Sequence, residues 1–431
     1  MRVFMLGWEF PPFISGGLGT ACYGLTKAMD QLDIKVAFVL PKMVASNYTT
    51  HVKLLSPGSR RVTESTKFHE LKNVAFHTIS SPLKPYITPD VYQKRIEESL
   101  QFQSKTKDCF ITQGSRIEEN YGGDMYSEAH RYAAMSLELA ASEQFDIIHA
   151  HDWMTYPAGI AVAAMSGKPL VIHVHSTEFD RSGEHVNQMI YDIERRGMHL
   201  ADKIIAVSHL TRSIIISRYG ISGDKVEVVH NGVERNGNGN GNWPLAETGI
   251  KKGEKIVLFL GRITMQKGPE YFLGAAKKVL EVMDDVKFVM AGSGDMMHRA
   301  VELAAELGIG SKVLFTGFLR GTDVQKIYKM ADLFVMPSVS EPFGLVPLEA
   351  LDNDVPVIIS KQSGVSEVLT HALKVDFWDV TEIANKIVAV LKYPPLKITL
   401  QNHGNYEVRR LRWKDAAKKC ARIYEELLVP V

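Results

Sequence analysis

Two series of short buried strands alternating with amphipathic helices, one on each side of an Asn/Gly-rich break, predict an α/β protein with two doubly wound parallel-sheet domains. The first series ends at His230 and the second opens at Lys255. A third observation says where the chemistry belongs. Charged and glycine-bearing loops follow strands in both series, and open α/β sheets bind ligands outside the carboxyl ends of their strands.

Composition narrows the class. The 431 residues suffice for two or three domains with real cores. Hydrophobic content is 45%, charged content 23% and net charge +1, so no general field favours nucleic acid or an anionic membrane. Cys22, Cys109 and Cys420 lie far apart in no metal spacing, which indicates a reducing compartment rather than a disulfide framework. The apolar N-terminal run stops at Gly7-Trp8-Glu9, too short for a signal sequence. The longest apolar window, Ala158 to His175, is broken by Lys168-Pro169 and cannot span a bilayer. A cytoplasmic protein with no membrane span is expected.

In order, Arg2–Gly7 reads as a buried strand, and Gly16-Gly17-Leu18-Gly19 leads into a helix over Thr20–Met29. Lys35–Leu40 is the next strand. From Pro41 to about Gly123 the pattern loosens around one clear strand, Val74–Ile79, as in a long excursion carrying a lid or binding surface. Alternation resumes with a helix around Asp124–Glu143, strand Asp146–Ala150, helix Thr155–Met165 and strands Pro169–Val174 and Lys203–Val207. Helix Leu210–Tyr219 and strand Lys225–Val229 complete the series. The run Asn236–Asn242 is too rich in Asn and Gly to hold a ladder and reads as linker.

The second series has strand Ile256–Leu260, helix Pro269–Met283, strand Val286–Ala291 and helix Met296–Leu307. Strand Lys312–Phe315, helix Asp323–Met330 and strands Asp332–Met336 and Val355–Ser360 follow. The expected domains are residues 1–230 and 255–405, joined by 231–254. Residues 406–431 form a closing amphipathic helix that either domain could own.

Four loops carry candidate chemistry. Ser338-Val-Ser-Glu341-Pro-Phe-Gly344 follows a buried strand, and Gly344 opens a helical run in which Glu349 lies eight residues beyond Glu341. Carboxylates there grip the hydroxyls of a sugar or ribose; two isolated ones would more simply answer the helix macrodipole. Gly261-Arg262-Ile-Thr-Met-Gln-Lys267-Gly268 joins a strand to a helix begun by Pro269, and its Arg and Lys suit a diphosphate near helix amides. Alone, such a pair is ordinarily solvated surface. Gly292-Ser-Gly294 is a glycine turn that lacks the third glycine of a dinucleotide fingerprint. Gly16 and Gly17 could let backbone amides approach a phosphate, although a tight turn is the better reading of the glycines alone.

His149-Ala-His151-Asp152-Trp153 and His173-Val-His175 each follow a strand, and alternate strand residues share a face. Two such pairs could hold a metal, as in a hydrolase barrel. A second independent sheet with its own Arg/Lys and Glu pairs has no role in such a barrel, so no metal site is expected. His151 and Asp152 are read as hydrogen-bonding groups, and His149 and His173 as packed histidines.

Together these residues resemble a known family. Trp8-Glu9-Phe-Pro-Pro12 with Gly16-Gly17-Leu18, His151-Asp152-Trp153, Asn231-Gly232-Val233, Gly261-Arg262 with Lys267-Gly268, and Glu341-Pro-Phe-Gly-Leu-Val-Pro-Leu-Glu349 occur in the order seen in retaining GT-B glycosyltransferases. The resemblance is to the superfamily of glycogen and starch synthases and sucrose-synthase-like enzymes. It covers most of the chain except Pro41–Gly123 and the Asn/Gly run. It implies a nucleotide-sugar donor bound by the C-terminal domain, a carbohydrate acceptor bound by the N-terminal domain, a closing cleft, and a final helix crossing back.

By matching position, the resemblance assigns Arg262 and Lys267 to the donor diphosphate in place of a metal. It assigns Glu341 to the transferred sugar and Glu349 to the ribose. The amides around Phe343, Gly344 and Leu345 would contact sugar and phosphate. His151, with Asp152 beside it, would lie near the reacting centre, and Gly16 and Gly17 would reach the diphosphate. No cofactor is implied; UDP-glucose or ADP-glucose is itself the substrate. Retention without an evident nucleophile implies front-face attack with the leaving phosphate as base.

Ile14 stands where ADP-glucose-using synthases carry lysine, and those enzymes tend to lack the second glutamate, which counts against ADP-glucose. Trp8–Pro12, His151–Trp153 and His175–Glu178 resemble α-glucan synthases, which makes a glycogen-synthase-like activity the expectation. A retaining hexosyltransferase using a UDP- or GDP-sugar with a polysaccharide-precursor or small-sugar acceptor is the alternative.

Overall fold

The structure, a computed structural model, describes residues 1–10, 16–42, 73–80, 125–234, 250–251 and 253–429. Ile14, most of the Pro41–Gly123 excursion and the Asn236–Asn242 run lie outside the described residues. Among the described residues no helix is long and apolar enough to cross a membrane.

Two sheets form, as the alternation predicts. The first holds β1 (Arg2–Leu6), β2 (Lys35–Lys42), β3 (Val74–Ser80), β4 (Ile147–His151), β5 (Leu170–Val174), β6 (Lys203–Ala206) and β7 (Val226–Val228) in the order β3-β2-β1-β4-β5-β6-β7. The second holds β8 (Lys255–Leu260), β9 (Val286–Ala291), β10 (Val313–Gly317), β11 (Leu333–Met336), β12 (Val357–Ser360) and β13 (Leu373–Val375) in the order β10-β9-β8-β11-β12-β13. Neighbouring strands run parallel from β3 to β5 and throughout the second sheet. Helices cover both faces of such sheets, so central strands bury every residue. β4 and β5 do so throughout, and β8 does so from Ile256 to Phe259.

The strand order reverses direction between β1 and β4 in one sheet and between β8 and β11 in the other. These are the topological switch points at which such sheets bind ligands. The loop after β8 carries Arg262 and Lys267, and the loop after β11 carries Glu341, so the second switch point collects the charged candidates.

By contacts the chain forms two compact units: Met1–His173 with Asp192–Ile204 and Ala421–Val431, and Val174–Tyr191 with Ile205–Cys420. The closing helix crosses back as expected. Its Tyr424 hydroxyl is hydrogen-bonded to His149 Nδ1 within the first unit.

The C-terminal stretch departs from expectation in one respect. Tyr406–Leu428 is not one helix: one helix spans Pro394–Val408 and another Trp413–Leu428. The break is held by the Asn231-Gly232-Val233 segment, where Val233 N donates to Leu411 O at 2.9 Å. A Cβ on Gly232 would collide with the Trp413 backbone, so the glycine of that motif serves this close approach. The sequence reading also leaves unassigned the helices Glu178–Ser182, Gln188–Leu200 and Val380–Lys392 and the edge strand β13.

Candidate active site

After β8 the chain passes through Gly261, Arg262 and Ile263 into a 3-10 turn over Met265–Lys267, and then into helix Pro269–Leu280. Ile263 is wholly buried and pins the loop to the core. Its N–H donates to Ser293 O and its carbonyl accepts from Met296 N, both at 3.0 Å. The Gly292-Ser293-Gly294 turn is therefore explained by packing: a Cβ on Gly292 would strike the Gly261 carbonyl, and one on Gly294 the Ile263 carbonyl.

The loops after β8 and β11 are tied together. Val339 N donates to Gln266 O at 2.9 Å, and Gly268 (φ +67°) lies against the Pro337 carbonyl. Arg262 Nη2 donates to the side-chain oxygen of Gln266 at 3.0 Å, which orients the guanidinium. Lys267 Nζ forms an ion pair with Glu341 Oε2, both side chains largely buried. Of the four residues expected to perform the chemistry, Lys267 and Glu341 thus meet directly, Gln266 orients Arg262, and His151 belongs to the other unit.

Glu341 is held on its backbone as well. Its N–H donates to Gln362 O at 3.0 Å, and its carbonyl accepts from Gly364 N at 2.9 Å. Phe343 turns its ring inward, where it is buried and stacks on His230 with centroids 5.9 Å apart. Only its backbone is left for a ligand. Gly344 (φ +105°) starts helix Leu345–Asp352, and no side chain caps that end. The first-turn N–H groups of an uncapped helix form a ready anion site.

Glu349 sits on the same helix and accepts from the Tyr328 hydroxyl at 3.0 Å. Burial pushes its pKa up to about 7, against the opposing effect of the Tyr328 bond. This carboxyl therefore titrates near neutrality.

In the first unit, β4 delivers His151 and Asp152. Asp152 has φ +57° and ψ 168°, an uncommon backbone state for a residue other than glycine. Its N–H donates to His173 O at 3.1 Å, and its carbonyl accepts from the Thr155 N–H and hydroxyl, both at 3.0 Å. Strain of this sort gathers at functional sites, where the surroundings over-determine it.

The rings of His149, His151 and His173 are buried and stacked, 4.3 Å apart for the first two. Their nitrogens lie close enough together to share an ion. His149, however, has both nitrogens in hydrogen bonds, one with Tyr424 and one with His173 at 3.2 Å, as expected of a packed histidine. A second cluster, His209, His230 and Glu367, is organised around Glu367, which accepts from the His209 and Leu210 N–H groups at 2.8 and 2.7 Å. Glu367 also meets His230 Nε2 at 3.3 Å, so it braces the start of helix His209–Tyr219, whose N-cap is Ser208.

Gly17 opens helix Gly17–Asp30, and a Cβ there would meet nothing within 4 Å. Among the described residues neither packing nor φ requires a glycine there. Glu9 is buried and accepts from Gly19 N at 3.2 Å, so it anchors the same helix start. Gln266, Tyr328 and Gln362 belong to the site's support yet carry no sequence signal, because their partners are distant in the chain.

The two doubly wound sheets and the helix that crosses back are the GT-B fold of glycosyltransferases. Residues 245–407 match the family described as "Glycosyl transferases group 1", and residues 116–236 match "Glycosyltransferase Family 4". The chain belongs to the retaining GT-B glycosyltransferases of family 4.

Among curated proteins it is 28% identical to an uncharacterized glycosyltransferase of Methanocaldococcus jannaschii (99% of this chain, 98% of that one). It is 23% identical to the glycogen synthase of Mycobacterium tuberculosis (98% and 94%). It is 31% identical to a D-inositol 3-phosphate glycosyltransferase of a Mycobacterium species (63% and 65%). Sucrose-phosphate synthase from Thermosynechococcus elongatus shares the fold at a TM-score of 0.70 and 19% identity, over 99% of both chains. An Anabaena protein crystallised with UDP-glucose does so at 0.67 and 16%, over 99% of this chain and 100% of that one.

Proposed function

We propose that this enzyme transfers a hexose, with retention, from a UDP- or GDP-sugar to a polysaccharide precursor or small sugar, and needs no divalent metal. The observation that carries the reading is the Lys267–Glu341 pair at the second switch point, with Arg262 aligned beside it. Two fixed cations beside an uncapped helix start supply what a diphosphate leaving group requires.

In this account the bond from the anomeric carbon to the β-phosphate oxygen breaks first. Arg262 and Lys267 take up the charge that collects on the phosphate, and Glu341 supports the positive charge left on the sugar. The acceptor hydroxyl attacks from the side the phosphate leaves and passes its proton to that phosphate. The amides of Phe343, Gly344 and Leu345 hold sugar and phosphate, and Glu349 holds the ribose. His151 and Asp152 are assigned to the donor sugar, and Gly16 and Gly17 to the diphosphate.

The acceptor varies among the relatives, which favours the broader activity over a glucan synthase. One relative is named for D-inositol 3-phosphate, and the glycogen synthase match is at 23% identity. That match nonetheless spans 98% of the chain, so glucan extension is the second reading. Nucleotide release from UDP-, GDP- and ADP-glucose, with glycogen or with small sugars and in chelator, separates the two. Release that only glycogen stimulates would restore the glucan synthase.

The Glu349 carboxyl gives a pH signature. Its pKa of about 7 keeps much of it protonated in the free enzyme at pH 6, whereas two ribose hydroxyls are best accepted by the ionised form. Donor binding then releases a proton, and affinity rises with pH until the carboxyl is ionised. UDP-glucose is expected to bind several-fold more tightly at pH 8 than at pH 6. Glu349→Gln should bind weakly with no such slope in a calorimetric titration; a slope that persists would remove Glu349 from the donor site.

A further inference from the structure

Ser340, immediately before Glu341, is hydrogen-bonded to a residue 160 positions earlier in the chain: its hydroxyl donates to Asp180 Oδ1 at 2.6 Å. Asp180 is 3% exposed, and its other oxygen accepts from the Thr177 N–H at 2.7 Å and the Thr177 hydroxyl at 2.8 Å. These bonds form the capping box of the short helix Glu178–Ser182. Glu178, also buried, accepts from Asn187 N at 3.0 Å, from Arg181 Nε at 3.0 Å and from the Ser182 hydroxyl at 2.7 Å. A capped and internally braced turn of helix thus presents one carboxylate oxygen outward, and that oxygen meets Ser340. The same short helix also contacts the Met265–Lys267 turn.

We infer that Asp180 is a positioning residue: through Ser340 it fixes the Glu341 loop in the geometry that sets the Glu341 carboxylate beside Lys267. The inference rests on the site reading given above. The loop Pro337–Glu341 is also tied through backbone bonds to Gln266 on one side and to Gln362 and Gly364 on the other, and through the Glu341 side chain to Lys267. The Asp180–Ser340 bond is the shorter of two side-chain restraints flanking Glu341, the other being the Thr211 hydroxyl on the Pro342 carbonyl at 3.4 Å, and it comes from the segment Val174–Tyr191, which follows β5 directly in the chain. Misplacing a catalytic carboxylate by about 1 Å can cost up to roughly a hundredfold in rate. A single buried hydrogen bond is therefore sufficient to matter for turnover while contributing modestly to stability.

The test is a double-mutant cycle on the full-length chain with Ser340→Ala, Asp180→Ala and the pair, together with Ser340→Thr and, as reference, Glu341→Gln. The readouts are kcat and KM for UDP release from UDP-glucose, and amide hydrogen exchange over Ser340–Phe343. Ser340→Ala is expected to lower kcat roughly tenfold or more with donor KM little changed. It should speed exchange in the loop, and Ser340→Thr should restore both. The double variant should be no worse than Asp180→Ala, because both remove one bond.

Wild-type kcat and wild-type exchange in Ser340→Ala, or losses that simply multiply in the double variant, overturn the positioning role. If Glu341→Gln itself turns over normally, the site reading fails instead, and exchange alone then reports whether Asp180 holds the loop. A fall in melting temperature with unchanged kcat for the folded fraction would make the bond structural only and also overturn the proposal.

Discussion

Lys267→Ala is expected to lower kcat for nucleotide release by roughly 10²- to 10³-fold, the scale of losing one group aimed at a charge that develops in the transition state. Lys267 stands in a 3-10 turn locked by Gly268 against Pro337, and its ammonium already rests against the Glu341 carboxylate. Placing it therefore costs little reorganisation when the phosphate departs. Lys267→Arg should recover part of the rate, since charge returns in a different shape. The substitution also leaves a largely buried carboxylate without its cation, so a stability cost of about 1–3 kcal/mol accompanies it. The rate is to be referred to the folded fraction, measured by thermal melting. A folded Lys267→Ala enzyme within a few-fold of wild-type would remove the lysine from the diphosphate site.

Glu341→Gln distinguishes two jobs for the carboxylate. If Glu341 only steadies Lys267, the amide keeps a hydrogen-bond acceptor in place and most of the rate should survive. If it supports positive charge at the anomeric carbon, the negative charge itself is needed, and Gln should fall nearly as far as Ala. The account predicts the second pattern: a loss of about 10²-fold or more in kcat for both variants, with donor binding by calorimetry changed much less. The backbone bonds to Gln362 and Gly364 and the Asp180–Ser340 bond do not involve the 341 side chain and are available in either variant. A Gln enzyme at near-normal rate beside a crippled Ala enzyme would reduce Glu341 to a partner of Lys267.

Much of this site is legible in the sequence because its parts are local. Arg262 and Lys267 share one loop, Glu341 and Glu349 one loop and helix, and the apolar runs before them announce the strands whose ends they occupy. The six strands of the second sheet differ from this pattern only at β13, three residues on an edge, too short for periodicity to register. The parts that escape are those that depend on distant pairing. Gly292 and Gly294 look like half of a dinucleotide fingerprint, yet they are required by the backbone of Gly261 and Ile263.

The same holds elsewhere in the chain. The helix break at Arg409–Arg412 is invisible in a stretch of good helix formers, because it is stabilised by Val233, far away in the chain. The enclosure of His151 among His149, His173 and Phe38 likewise follows from strand register, β4 against β5, rather than from composition. Asp180 reads as part of an ordinary capping box, and nothing local to it announces Ser340.

The most direct test of the central claim is the initial rate of UDP release from UDP-glucose in excess chelator, with and without a panel of saccharide acceptors, for the wild-type enzyme and for Lys267→Ala. The account predicts acceptor-stimulated release that chelator does not diminish and that the variant loses. Release abolished by chelator and restored by a divalent metal would contradict it, since Arg262 and Lys267 would then not be carrying the charge of the leaving diphosphate.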